Sequence, residues 1–251
     1  MGIMMKLVGV NLSLIGLVVF TMFLNAADNE IYITQSGTNA QIEIDQIGSG
    51  NQVKGNEAAS GNDPISTFNL TGNSQTIDIN QIGDGNDFIG DIVADTVAGN
   101  FTFTGDSNIF DIDVDATGTY GGDNLNIDVD ITGSGNDMTV RIATAAAASG
   151  VDYDAVISGD YNTITSNIDV DNAIFDIDIT GDYNTLDYDA DNYAGHEFYL
   201  DHTGDYTNFI IDQQSTLAKD YLNINSTTSG TSGSNANICI YQNDAGTVTS
   251  C

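Results

Sequence analysis

The feature that most constrains this chain is a turn that keeps returning, Gly-x-x-Asn, set between segments that alternate an aliphatic residue with Asp or Asn. It occurs at Gly48 to Asn51, Gly83 to Asn86, Gly105 to Asn108, Gly133 to Asn136, Gly159 to Asn162 and Gly181 to Asn184, with looser copies at Gly37, Gly72 and Gly204. Some of these glycines lie 11 residues apart and others 22 or 23. Self-similarity at a short fixed period marks a chain wound into a coil whose turns rest on one another. The spacing predicts an all-β fold, an elongated β-solenoid of stacked strand-turn-strand repeats of about 22 to 26 residues, with about nine or ten imperfect units.

Side chains alternate faces along a strand, so Ile77 and Ile79 point one way while Asp78 and Asn80 point the other. Parity carries Gln81 onto the apolar face just before the turn. The same register recurs as Ile42, Ile44 and Gln46, and as Ile31, Ile33 and Gln35; later segments keep the aliphatics, as in Ile127, Val129 and Ile131, and lose the Gln. Identical amides stacked at about 4.8 Å can hydrogen-bond into ladders, whereas a buried amide without a partner costs about 1 to 3 kcal/mol. The expected ladder and turn residues are therefore Gln35, Gly37 and Asn39; Gln46, Gly48 and Asn51; Gln81, Gly83 and Asn86; and the pairs Gly105 and Asn108, Gly133 and Asn136, Gly159 and Asn162, and Gly181 and Asn184.

The segments Gln46-Ile-Gly48-Ser-Gly-Asn51 and Gln81-Ile-Gly83-Asp-Gly-Asn86 resemble the Gln-x-Gly-x-x-Asn core of the curlin repeat, found in the subunits of curli, bacterial extracellular amyloid fibres. Gln35-Ser-Gly37-Thr-Asn39-Ala40 is similar, with a turn one residue shorter. The likeness is good over residues 31 to 90 and is reduced to glycine, asparagine and alternating aliphatics from about 100 to 210. It implies a β-solenoid of strand-turn-strand units, secretion through an outer membrane, and assembly end on end into a fibre.

Charge narrows the possible partners. The chain carries 36 acidic and four basic residues, and beyond residue 27 the basic ones are Lys54, Arg141 and Lys219. Nucleic acid and anionic membranes would be repelled. Cations, cationic surfaces, neutral glycans and further copies of the chain remain. Disorder does not fit, because the 41% apolar fraction is arranged with strand periodicity.

Lys6, the apolar run from Leu7 to Leu24 and the small residues of Asn25-Ala26-Ala27 read as a signal peptide over residues 1–27, with a retained membrane anchor as the alternative. On the first reading residues 28–251 form the repeat domain. It is secreted to the extracellular space or cell surface by way of a periplasm and meets a membrane only during export. Cys239 and Cys251 can then close a disulfide that locks the terminal coil; free thiols or a cross-link between subunits are the other readings.

Outward positions hold Asp111, Asp113 and Asp115; Asp128 and Asp130; Asp169 and Asp171; and Asp176 and Asp178. Carboxylates stacked about 5 Å apart repel by roughly 0.8 kcal/mol per pair even in water. Salt or protonation, Ca²⁺ bridging, or staggering against neutral residues would each relieve this, so these aspartates are the candidate metal ligands of a chain that requires no cofactor. Catalysis is not expected. His196 and His202 lack helical zinc spacing, no nucleophile elbow or phosphate loop occurs, and three basic residues are too few to hold an acidic polysaccharide. Tyr161, Tyr183 and Tyr206 occupy the same place in three Gly-Asp-Tyr turns and should line one edge, where they pack on the solenoid surface or, as the alternative, meet sugars or a neighbouring fibre. The expected function is a secreted structural subunit of a curli-like fibre serving adhesion and matrix formation. The alternative is a monomeric acidic solenoid adhesin that binds a surface, a glycan or Ca²⁺.

Overall fold

A computed structural model describes residues 17–22, 30–54, 68–94, 96–114, 124–142, 148–190, 195–214, 221–229 and 236–243. Among these residues the regular structure is entirely β and every strand pair is parallel. A nine-stranded sheet runs through Leu17–Met22, Gln41–Ile47, Gln75–Ile82, Val97–Thr104, Leu125–Thr132, Asp152–Ser158, Ile174–Thr180, Glu197–Thr203 and Tyr221–Thr227. An eleven-stranded sheet runs from Glu30–Tyr32 and Gln52–Lys54 through Asp87–Val93, Ile109–Val114, Asp137–Ile142, Thr163–Ile168, Thr185–Ala190 and Asn208–Gln214 to Asn237–Asn243, with Thr34–Ser36 and Phe68–Thr71 off that path. The chain crosses from one sheet to the other every half-turn, so successive visits to a sheet lie side by side and parallel. The result is a β-solenoid of about 7 turns.

The turn count is lower than the glycines suggest, and the hydrogen bonds give the reason. The Gly48 amide donates to the carbonyl of Ile82 at one edge of the coil, whereas the Gly37 amide donates to Thr71 and the Gly72 amide to Val93 at the other. The 11-residue spacing is therefore half a turn, and Gly37 and Gly72 do not begin units of their own. Full turns, read from one buried Asn to the next, take 35, 22, 28, 26 and 22 residues. The Gly-x-x-Asn edge keeps one length throughout. The opposite edge takes up insertions of different lengths, which carries two turns beyond the expected 22 to 26 residues.

Between the sheets lies a narrow core of apolar side chains, two to four from each long strand. The alternating pattern is realised as strict alternation of burial: in Leu125–Thr132 every odd residue is buried and every even one exposed. Stacking in register puts Ile42 beside Ile77, and Phe101 beside Val129. Phe68, Phe88, Phe101, Phe103 and Phe110 form one aromatic cluster with ring centroids 5.1 to 5.6 Å apart. Removing each such side chain from water contributes about 1.5 to 3 kcal/mol, so the narrow core offsets much of the entropy lost by a coil with few non-repeating contacts.

The strand Leu17–Met22 falls inside the apolar run assigned to the export signal and pairs in register with Gln41–Ile47, Val18 beside Ile42 and Phe20 beside Ile44. Residues 1–16 and 23–29, including the expected cleavage site, lie outside the described residues. At the other end Cys239 is disulfide-bonded. Cys251 also lies outside the described residues.

Glycine is required where one corner sits on the next. Gly105 has φ +135°, and a Cβ there would come within 2.2 Å of the Gly83 carbonyl oxygen; at Gly133 the same contact, to Gly105, would be 2.0 Å. Gly85 has φ +67° with nothing within 4 Å of its would-be Cβ. Gly133→Ala should therefore destabilise the protein by about 2 kcal/mol or more, and Gly85→Ala by about 1 kcal/mol, read as shifts of the urea midpoint. Equal costs would show that the close approach of the corners does not matter.

Candidate functional site

The tight edge is the most regular surface of the molecule and is built from three stacked residue positions. The innermost is the Asn that closes each turn. The Asn51 amide donates to Oδ1 of Asn86 at 3.0 Å, and Asn86 to Asn108, Asn108 to Asn136, Asn136 to Asn162 and Asn162 to Asn184 follow at 2.8 to 2.9 Å. The side-chain amides of Asn51 and Asn108 each return 2.7 Å to the carbonyl three residues back, at Gly48 and Gly105. Each Asn thus ties its own turn to the next rung, and all six are at most 2% exposed.

The second position lies outside and was not singled out in the sequence. Oδ1 of Asp84 accepts the amide of Asp106 at 3.0 Å, and Oδ1 of Asp106 accepts that of Ser134 at 2.7 Å. Oγ of Ser134 accepts the Asp160 amide at 3.2 Å, and the pattern continues from Asp160 to Asp182, Asp182 to Asp205 and Asp205 to Ser229 at 2.7 Å. The signal was present, since at this edge the residue after each turn glycine, from Gly48 to Gly204, is Asp or Ser. It was absorbed into the general acidity of the chain. The third position has a left-handed backbone, occupied by Gly85, Ser107, Gly135, Tyr161, Tyr183 and Tyr206.

The expected amide ladder is short. Gln81 Nε2 donates 2.7 Å to Gln46 Oε1, both fully buried. At the next rungs the position belongs to Phe103, Ile131, Ile157 and Ile179. Gln35 and Asn39 do not join these ladders. Gln35 lies at the opposite edge in register with Leu70, and Asn39 is an exposed left-handed residue with φ 57°. The buried place that a ladder Asn would take there belongs to Ala40.

The candidate metal-ligating aspartates divide between the sheets. Asp128 and Asp176 stand in one column with Asp154 between them, so three carboxylates stack on consecutive rungs. Burial, then Asp152, Asp128, Asp176 and Asp178, holds the Asp154 carboxyl above the ordinary range, and Asp176 is raised by burial and by Asp178, Asp201 and Asp152. The neighbouring column is interrupted, because Val156 separates Asp130 from Asp178. On the other sheet Arg141 stands 2.6 Å from Asp111 and 3.6 Å from Asp113, which supplies part of the missing countercharge. Asp113 nevertheless lies above its usual value, chiefly through burial. Asp169 follows the strand Thr163–Ile168 at the looser edge, and Asp171 pairs there with Ser149; Asp115 is outside the described residues. Among the described residues no group of three or more His, Cys, Asp or Glu is arranged to hold a metal ion.

Comparison of the chain with protein-family models, with curated proteins and with solved structures finds no match.

His196 and His202 do not converge on a shared ligand. His196 Nε2 hydrogen-bonds to the Val170 carbonyl, and His202 Nδ1 lies 2.9 Å from Ser226 Oγ. His202 replaces the core Ile of preceding rungs and is 2% exposed. Burial lowers its pKa from 6.5 against the opposing pull of Asp182 and Asp205. The lowered value means that the folded state prefers the neutral ring. Its contribution is intact above pH 6.5 and is lost as pH falls, at up to about 1.4 kcal/mol per pH unit. The raised carboxylates act in the opposite sense, since folding favours their protonated form and stability returns as pH falls toward their folded values. Two outcomes follow from melting curves between pH 7 and 4. His202→Gln should remove a loss of stability that begins near pH 6.5, and Asp154→Asn should raise the melting temperature at pH 7 with a gain that shrinks toward pH 4.

Proposed function

We propose that the chain is a secreted structural subunit of a curli-like extracellular or surface fibre, that it polymerises end on end, and that it serves adhesion and matrix formation rather than catalysis. The observation that supports this reading is the partly open core of the last rung among the described residues. Leu222, Ile224 and Ile238 are only partly buried, whereas their register partners one rung earlier, Phe198, Leu200 and Phe209, are at 0%, 1% and 0% exposure. Apolar surface of this kind is covered by one more rung of the same shape. Among the described residues Tyr221–Thr227 has a strand neighbour on one side only, so its other side offers backbone donors and acceptors in fixed register.

The opposite end fits the same mechanism. Loss of the leader removes Leu17–Met22 from its seat and leaves Gln41–Ile47 at the edge of its sheet, with the strand order otherwise unchanged. Export and activation of the growing end would then be one event. Acidic columns on both outer faces repel a neighbouring fibre sideways while end contacts are made by backbone and apolar groups, which favours single filaments over bundles. Salt relieves the same repulsion between rungs, and Ca²⁺ relieves more of it per ion, so assembly should quicken with either.

The disulfide at Cys239, on the last strand of its sheet, favours a second reading, a capped monomeric adhesin. Negative-stain microscopy separates the two. Residues 28–251 should form long unbranched fibres, faster in 0.5 M salt than in dilute buffer, and Leu222→Asp with Ile224→Asp should leave short rods of unchanged β content. Discrete rods from the unsubstituted chain at every ionic strength would instead support the adhesin.

A further inference from the structure

The three stacked tyrosines end in an open face, and what lies beside it is specific. Tyr161 and Tyr183 have ring centroids 4.8 Å apart and planes within 2°, and Tyr183 and Tyr206 are 4.8 Å apart within 5°. Each ring in the interior of such a stack has its faces covered by its neighbours. Tyr161 is 61% exposed, against 43% for Tyr183 and 47% for Tyr206. One rung earlier the equivalent left-handed position is Gly135, which has no side chain. A Cβ placed on Gly135 would meet only Ser107 Oγ, at 3.9 Å.

We infer that this notch, bounded by the outer face of Tyr161 with Gly135 at its back, binds one pyranose ring of a neutral glycan. Thickness is the first argument. One rung is about 4.8 Å, the depth of a single stacked ring, so the level left empty at Gly135 has room for a ring laid on the outer face of Tyr161. The second is the chemistry of the walls. A sugar ring lays its C–H face on a tyrosine and needs hydrogen-bonding groups at its rim. Asp106 and Asp160 carry carboxylates held in place by the backbone amides of Ser134 and Asp182, and Ser107 and Ser134 bring hydroxyls to the same edge. Carboxylates accept charge-assisted hydrogen bonds from sugar hydroxyls, shorter and stronger than those between neutral groups.

Charge sets the class of glycan. With a formal charge of −32 and carboxylates on either side of the notch, a uronic acid or a sulfated sugar is repelled, and among the described residues no cation stands beside it. An aromatic side chain from another molecule has the right thickness but makes no use of the polar rim. The site is complete within one chain, so it does not depend on whether the protein polymerises. In a fibre it would recur once per subunit, and weak single contacts would add into avidity for a polysaccharide.

The test is saturation-transfer NMR and calorimetry on the full chain with cellohexaose and laminarihexaose, and with an oligogalacturonate as the anionic comparison. Saturable binding of at least one neutral hexaose is expected, with transfer to the Tyr161 ring and little or none for the oligogalacturonate. Tyr161→Ser should weaken binding roughly tenfold or more. Gly135→Tyr should do the same by filling the notch, and it keeps the fold measurable because tyrosine already occupies this backbone conformation at Tyr161, with φ 60°. Tyr199→Ser, on the flat sheet face, should bind as the unsubstituted chain does. Absence of saturable binding by both neutral hexaoses, equal binding of the oligogalacturonate, or affinity unchanged in both Tyr161→Ser and Gly135→Tyr would overturn the assignment and leave the fibre reading untouched.

Discussion

The structure depends on parallel backbone pairing held in register at one corner. Parallel strands carry no local turn that fixes their alignment, and a one-residue slip would turn every buried aliphatic to solvent and every aspartate to the core. The Asn ladder prevents this. Because the side chain of one rung accepts the backbone amide of the preceding rung and donates to a carbonyl of its own or the preceding turn, a slipped rung would leave buried amide groups unpaired on both sides. The glycine three residues earlier belongs to the same device, since only a residue without Cβ lets the corners approach to the ladder distance.

Once the corner is fixed, the rest of the molecule can vary. Length differences go to the opposite edge, where no buried amide keeps count. Core composition varies from rung to rung, from stacked Gln46 and Gln81 to the phenylalanine cluster and then to isoleucines, because each strand needs only an apolar side chain of about the right size. The outer faces vary most freely, and there the chain accumulates charge. Stacking multiplies that charge down a column, as at Asp128, Asp154 and Asp176, and the molecule bears it through Arg141 and through neutral interruptions such as Val156.

The same geometry turns single residues into rows. One aspartate per turn becomes a ladder of accepted backbone amides, and one tyrosine per turn becomes a stack of rings with a defined end. The functional readings offered for this protein, fibre growth and contact with a neutral glycan, both arise from places where a row stops: the last rung at Leu222 and Ile224, and the last ring at Tyr161.

The sequence alone determined the architecture. Period-two alternation and recurrent Gly-x-x-Asn turns leave few ways to bury one face of every strand, and they identified the aliphatic core, the buried asparagines from Asn51 to Asn184, and the aligned tyrosines. What only the tertiary structure decided was which corners belong together. Gly37 and Gly48 look alike in the sequence, yet they sit on opposite edges, because half-turn and full-turn spacings are both multiples of one short unit and only the hydrogen bonds tell them apart. The Asp84 to Asp205 ladder was hidden for a related reason. In so acidic a chain an aspartate that accepts a backbone amide reads the same as one that merely faces water, and the difference lies in what the neighbouring rung brings to it.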